Sequence, residues 1–302
     1  MQTQLVKVRW GIVLGLAAVL GTYPSWVYAQ QAAGVVVDAQ GVLHKKVVSD
    51  PTGQLMRERQ AAAKASLSAE LARFSKRRYI SLTRLEQALA DRQGVLTDEM
   101  RYLAGLLRVQ YVFYYPETKD IVIAGPAEGW MEDPAGRIVG ISTQRPVCQL
   151  EDLVVALRLF GPDKKKSNPV ISCSIDPTPE GLAAMQRVLR QMGSQLPGPP
   201  TPAIANQIAS SLQESLGLQD ITINGVPAET HFAHVLVEAD YRMKLIGIGL
   251  EEPPVQMASF VQMVNPGQVS RNALFRWFFV PDYQCVRVSE DGLAMKLEGD
   301  GV

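Results

Sequence analysis

Apolar positions along this chain fall into two periods, and the clearest run is Glu229–Leu250 (ETHFAHVLVEADYRMKLIGIGL). At about 100° per residue, Phe232, Val235, Leu236, Ala239, Met243 and Ile246 share one arc, which predicts an amphipathic helix. His231, His234, Glu238, Tyr241 and Arg242 gather on another arc. Asn224-Gly225 makes a turn upstream, and Gly247, Gly249 and Pro253-Pro254 stop the segment. The same period predicts helices over 54–76, 81–94, 97–108, 149–160, 179–192 and 204–216. The 54–76 stretch is rich in Ala, Glu, Arg and Gln with few large apolar residues, so it reads as a surface helix. Thr83 and Glu86 have capping-box spacing, Thr97 and Thr178 stand at N-cap positions, and Pro179 suits a first helical position.

Runs of β-branched and aromatic residues predict strands. Residues 34–37 and 42–43 flank a turn at 38–41. Val109–Tyr115 and Asp120–Ala124, joined by Pro116–Lys119, read as a hairpin. Further strands are expected at 138–142, 170–175 and 220–224. A terminal meander is expected at 276–280, 284–289 and 293–297. Helices interspersed with hairpins predict an α+β fold with mainly antiparallel strands. Gly193–Pro202 (GSQLPGPPTP) sustains neither a regular helix nor a central strand. The expected organisation is a leader at 1–29, an N-terminal α+β lobe at 30–192, a Pro/Gly-rich linker at 193–203 and a C-terminal α+β lobe at 204–302.

The leader changes the charge and compartment expected of the chain. Lys7 and Arg9 precede a short apolar run, Trp10–Gly21, and Val27-Tyr28-Ala29 offers a cleavage site before Gln30. At roughly 12 residues the run is well short of the ~20 that span a bilayer. Export by a cleaved signal peptide to the periplasm or exterior is therefore expected, with no transmembrane anchor afterwards. Whole, the chain balances 30 basic against 30 acidic residues. Without the leader it carries 28 against 30, a net charge of −2. That balance argues against a nucleic-acid partner. The short runs Ser75–Arg78 and Asp163–Lys166 read as solvated surface.

Chemistry-bearing residues are few. His231, His234 and Glu238, at i, i+3 and i+7, lie on one helical face and could offer two nitrogens and an oxygen to a divalent metal. The spacing is not HExxH, and the bland alternative pairs Glu238 with Arg242 at i, i+4. Three cysteines leave three disulfide pairings open. Cys148 and Cys173 are nearest in sequence, and a bridge there would contribute on the order of 3 kcal/mol. Against it, Cys173 and Cys285 sit in strand-like runs where buried, inert thiols are common. Ser172, Ser174 and Asp176 flank a strand end, where turning and capping already account for Asp-Pro-Thr-Pro. No nucleophile elbow, phosphate-binding loop or dinucleotide fingerprint occurs.

The phrases ISCSIDPTPEGL, THFAHVLVEADYRMK and VPDYQCVRVSEDGLAM resemble a family of exported planctomycete proteins that is catalogued as a domain of unknown function. The resemblance implies export and supplies no catalytic or binding residues. Two functional classes follow. The first is a non-enzymatic binding or assembly module of the cell envelope that recognises a protein or envelope component and needs no cofactor. The alternative is a metal-dependent hydrolase built on His231, His234 and Glu238.

Overall fold

Local capping sets where several helices begin in the computed structural model, which describes residues 4–9, 32–37, 43–47, 50, 52–161, 170–193, 201–247, 251–252, 258, 260–263 and 285–299. Strands β1 (Gln4–Arg9), β2 (Ala32–Val37) and β3 (Leu43–Val47) come first, then helices α1 (Gln54–Ser66) and α2 (Ala69–Ala72). Strand β4 (Ser75–Ser81), helices α3 (Leu82–Asp91) and α4 (Asp98–Arg101), and strands β5 (Tyr111–Tyr115), β6 (Asp120–Ala127), β7 (Trp130–Glu132) and β8 (Ile138–Gly140) follow. Next are α5 (Leu150–Leu159), β9 (Ser172–Pro177), α6 (Pro179–Met192), α7 (Pro202–Leu216) and β10 (Leu218–Asn224). Helices α8 (His231–Gly247) and α9 (Phe260–Met263) precede the strands β11 (Cys285–Val288) and β12 (Ala294–Glu298). The fold is α+β with antiparallel ladders. Among the described residues, no helix is long and apolar enough to cross a membrane.

Two compact units divide the chain: Met1–Lys46 with Lys165–Phe279, and Val47–Lys164 with Val280–Val302. In the first, the sheet order is β1-β10-β9, with Val6 opposite Ile221 and Ile221 opposite Ile175. Its buried residues include Ile175, Leu216, Ile221, Ile223, Ala233 and Val237. Thr178 Oγ1 accepts from Gly181 N at 3.0 Å to start α6, and Thr201 Oγ1 accepts from Ile204 N at 3.3 Å to start α7. The two helices pack on each other, and a Cβ at Gly181 would stand 2.1 Å from the Leu216 carbonyl oxygen. Only glycine permits that approach. The linker expected at 193–203 falls largely outside the described residues.

In the second unit the sheet order is β11-β12-β5-β6-β4. Its inner face carries Ile80, Val112 and Ile123, which pack with Leu103, Leu106, Leu82, Leu85 and Leu153. A second cluster joins Met131, Val139 and Ile141 of the β7–β8 region to Met56, Ala63 and Leu67 on the α1 side. Of the expected meander, β11 and β12 are present, while 276–280 lies outside the described residues. These strands continue the sheet that β5 and β6 begin.

Several expected boundaries move. The helix read over 54–76 ends at Ser66, because Ser68 caps α2 and Ser75–Ser81 pairs as a strand with β6. Ser81, not Thr83, caps α3, its hydroxyl accepting from Arg84 N at 3.0 Å. The helix read over 97–108 stops after one turn. Leu103, Ala104 and Gly105 turn left-handed there, at φ 45°, 49° and 78°. That turn buries Leu103 and Leu106 and brings Gly105 against the Glu128 backbone, where a Cβ would stand 1.9 Å from the carbonyl oxygen. Tertiary packing here overrides helix propensity.

Candidate functional site

Helix α8 begins where Thr230 Oγ1 accepts from Ala233 N at 3.2 Å. Its buried side is turned by roughly one residue's step from the expected arc: Ala233 and Val237 are buried, while Val235 and Ala239 are exposed. Small Ala233 suits the helix's packing against β9, and Lys244 completes the contact by donating to the Ile175 carbonyl at 3.0 Å and to Asp240 at 2.7 Å. His231 is half-buried at the first turn, His234 is exposed one turn on, and Glu238 is half-buried. Among the described residues, no three His, Cys, Asp or Glu side chains are grouped so as to hold a metal ion, these three included. Arg242 binds Glu251 at 2.5 Å, a carboxylate that lies beyond the end of the helix.

Cys148 and Cys173 are free thiols, one in each compact unit. Burial pushes the Cys148 thiol up to about 11, with nearby Asp152 adding to the shift. Burial likewise pushes Cys173 up to about 12, reinforced by Asp240. A nucleophilic cysteine needs its thiolate near neutral pH, and both environments favour the neutral form. Ser172 accepts from the Asn224 side chain across β9 and β10 at 3.3 Å, which ties that residue into the sheet.

Sequence reasoning missed Glu128, which is 0 % exposed. Its carboxylate accepts from Ser142 N at 3.1 Å, Thr143 N at 2.9 Å and the Thr143 hydroxyl at 2.5 Å. With three donors in place, the group clamps the loop after β8 and is committed to structure. An acidic residue inside the otherwise apolar IVIAGPAEGWM was the available signal.

The run Ser75–Arg78, read as solvated surface, divides between the two faces of the sheet. Arg78 turns inward and gathers the carbonyls of Glu70, Arg73 and Ala104, closing the end of α2. Desolvation lowers its pKa, with Glu70 and Glu99 acting in the opposite direction. Arg77 turns outward. Its guanidinium carbon lies 4.7 Å from the centroid of the Tyr111 ring, and Nη2 donates to the Tyr111 hydroxyl at 3.3 Å. Hydrogen bonding to Tyr79, then to Tyr111, raises its pKa.

The ladders place Tyr79, Ala124, Tyr111, Lys296 and Arg287 in one row across all five strands, with Val122, Phe113 and Ala294 in the next. Tyr79 and Phe113 have ring centroids 5.9 Å apart across β6, and Tyr111 and Phe113 lie 6.1 Å apart with planes 13° from parallel. Small Ala124 lies in the row between Tyr79 and Tyr111 and is fully buried. Tyr79 is 55 % exposed, so this aromatic face meets solvent. β5 was legible as a strand and β4 was not, so nothing in the sequence told that both turn their rings to the same side of the sheet.

Residues 173–260 match the model of a family described as a protein of unknown function, DUF1598. That stretch carries β9 from Cys173, α6, α7, β10 and α8, and most of ISCSIDPTPEGL with all of THFAHVLVEADYRMK. The phrase VPDYQCVRVSEDGLAM lies outside it. No curated protein and no solved structure matches the chain.

Proposed function

We propose that this protein is exported after cleavage before Gln30 and acts in the cell envelope as a non-enzymatic binding or assembly module. The observation that carries the reading is the open face of the five-stranded sheet, where Tyr79, Tyr111 and Phe113 form one aromatic surface with Arg77 laid on it. Solvent exposure of large rings costs free energy in proportion to apolar area, about 25 cal/mol per Å². Exposed Tyr79 beside half-buried Tyr111 and Phe113 therefore supports reading this face as an interaction site. Phenol hydroxyls and a guanidinium give the surface directed polar groups as well. Catalysis finds less support. The two thiols described above are held neutral, and Glu128 is occupied.

The test is fractionation followed by co-sedimentation. The full chain, expressed with its leader, is expected in the exported fraction with a mass beginning at Gln30. The purified mature protein should sediment with isolated envelope material. Retention in the cytoplasm with Met1 intact would refute export, and failure to sediment would refute the envelope role.

A further inference from the structure

The aromatic face also constrains what kind of ligand it takes. Tyr79 and Phe113 present ring surface beside the Tyr79 and Tyr111 hydroxyls, and the Arg77 guanidinium lies over the Tyr111 ring, so a matching ligand alternates flat C–H surfaces with in-plane polar groups. Pyranose rings have that build. Their C–H bonds carry partial positive charge and are attracted to the negative face of an aromatic ring, as cations are. Their hydroxyls lie at the ring edge, within reach of phenol and guanidinium donors. Tyr79, Phe113 and Tyr111 follow one another at 5.9 and 6.1 Å with Arg77 over the last, so a chain of sugars would meet two rings and then a guanidinium in succession, which suits a polymer over a single sugar.

Other polymers fit less well. A nucleic acid also stacks on aromatic platforms, but it needs several cations along its phosphates. Here Arg287 and Lys296, the cations in the row beyond Tyr111, are both bound to Glu298 at 2.6 Å. A protein partner would also use tyrosine and arginine anchors, but within a ring of contacts that excludes water from them. The exposed Val286, Val288, Met295 and Leu297 of β11 and β12 alternate with Arg287 and Lys296, and so belong to the opposite face of the sheet.

We propose that Tyr79, Tyr111 and Phe113, with Arg77, form a platform that binds a carbohydrate polymer of the cell envelope, its sugar rings stacking on the aromatic rings. The proposal rests on the reading of the protein as an envelope binding module and names the ligand class of that same face.

The experiment measures sedimentation of the purified mature protein with isolated envelope material and with wall glycan stripped of protein and lipid. Cellulose and chitin serve as further glycans, and single-stranded poly(dT), assayed by fluorescence anisotropy, as the competing polymer. Wild type is expected to bind at least one glycan. Tyr79→Ala should weaken that binding roughly tenfold, the loss of one aromatic anchor, and Tyr79→Phe should restore it. Tyr79 is half exposed, so the variant is expected to fold, which circular dichroism checks. Arg77→Ala should weaken binding too, with Arg77→Lys a partial rescue. Binding to envelope material but to no glycan would overturn the carbohydrate proposal and leave the envelope reading standing. Sedimentation with neither would overturn both. Glycan binding indifferent to Tyr79→Ala, or poly(dT) binding sensitive to it, would also overturn the proposal.

Discussion

Removing the Glu128 carboxylate should destabilise the second unit more than any surface change in this protein. In Glu128→Ala the Ser142 and Thr143 amides and the Thr143 hydroxyl lose their acceptor. Hydrogen bonds to a charged group contribute about 1.5–3 kcal/mol each when fully buried. Ser142 and Thr143 belong to an exposed loop and can regain water, so about 1 kcal/mol apiece is the better figure. The truncated side chain was wholly buried beneath Gly140, where a Cβ would stand 2.0 Å from the carboxylate oxygen, so a cavity adds to the loss. With the cavity term, the expected total is about 3–5 kcal/mol. Glu128→Gln keeps the volume and one acceptor oxygen, and the Thr143 hydroxyl can rotate to accept from the new amide, so its cost should be about 1–2 kcal/mol. Urea unfolding of the purified protein reads both as shifts in midpoint at unchanged slope. A Glu128→Ala cost below about 1 kcal/mol would refute the clamp, and a Gln variant as unstable as the Ala variant would refute the adaptable hydroxyl.

Val237→Ala should cost about 1.5–3 kcal/mol and Val235→Ala less than about 0.5, a contrast that thermal unfolding would reverse if the arc read from sequence were the buried one. His231→Ala and His234→Ala should change stability little, and a chelator should leave the wild-type melting temperature unmoved; a large drop would restore the metal reading. Cys148 and Cys173 have folded pKa values raised above the unfolded value of about 8.5, so the stability held in their neutral forms is full below that pH. It should be lost as pH rises toward about 11 and 12, and peptide-resolved alkylation at pH 8 should label neither thiol until denaturant is added. Gln219→Leu should raise stability by about 1 kcal/mol, since the Gln219 side chain is 2 % exposed and its amide nitrogen has no hydrogen-bond partner among the described residues; a loss on urea titration would mean that the amide is satisfied in solution.

What could be read from the chain was local. Thr178-Pro179, Thr97 and the turn Pro116–Lys119 declared themselves because a cap or turn is decided within a few residues. Boundaries failed where a distant partner decided. Ser75–Ser81 has charge enough for a helical surface, yet β6 holds it as a strand, and the Glu128 amide donates to the Gly105 carbonyl in the left-handed turn that follows α4. The site was harder still. Arg77 and Arg78 are neighbours in one charged run, and only the pleat of β4 sends one to the aromatic face and the other to the carbonyls of α2. The two compact units are discontinuous along the chain, and local composition carries no sign of where a chain returns to a unit it has left.

The sheet of the first unit and the export reading make opposite demands on Gln4–Arg9. Those residues form β1 against β10, with Lys7 opposite Asp220, yet cleavage before Gln30 would remove them. The elements left behind explain how both can hold in sequence. β9 and β10 still pair from Ser172 to Pro177, α8 still packs on β9, and the Lys244 bond to the Ile175 carbonyl needs nothing from the leader. The family match begins at Cys173 and takes in β9, α6, α7, β10 and α8 without β1. In the precursor β1 would therefore cover an edge that the mature chain exposes. A newly bared edge strand invites pairing with another chain. Asp220, opposite Lys7 in the sheet, would matter in both states: cleavage would take the cation away and leave a charge on the edge that discourages indiscriminate strand addition.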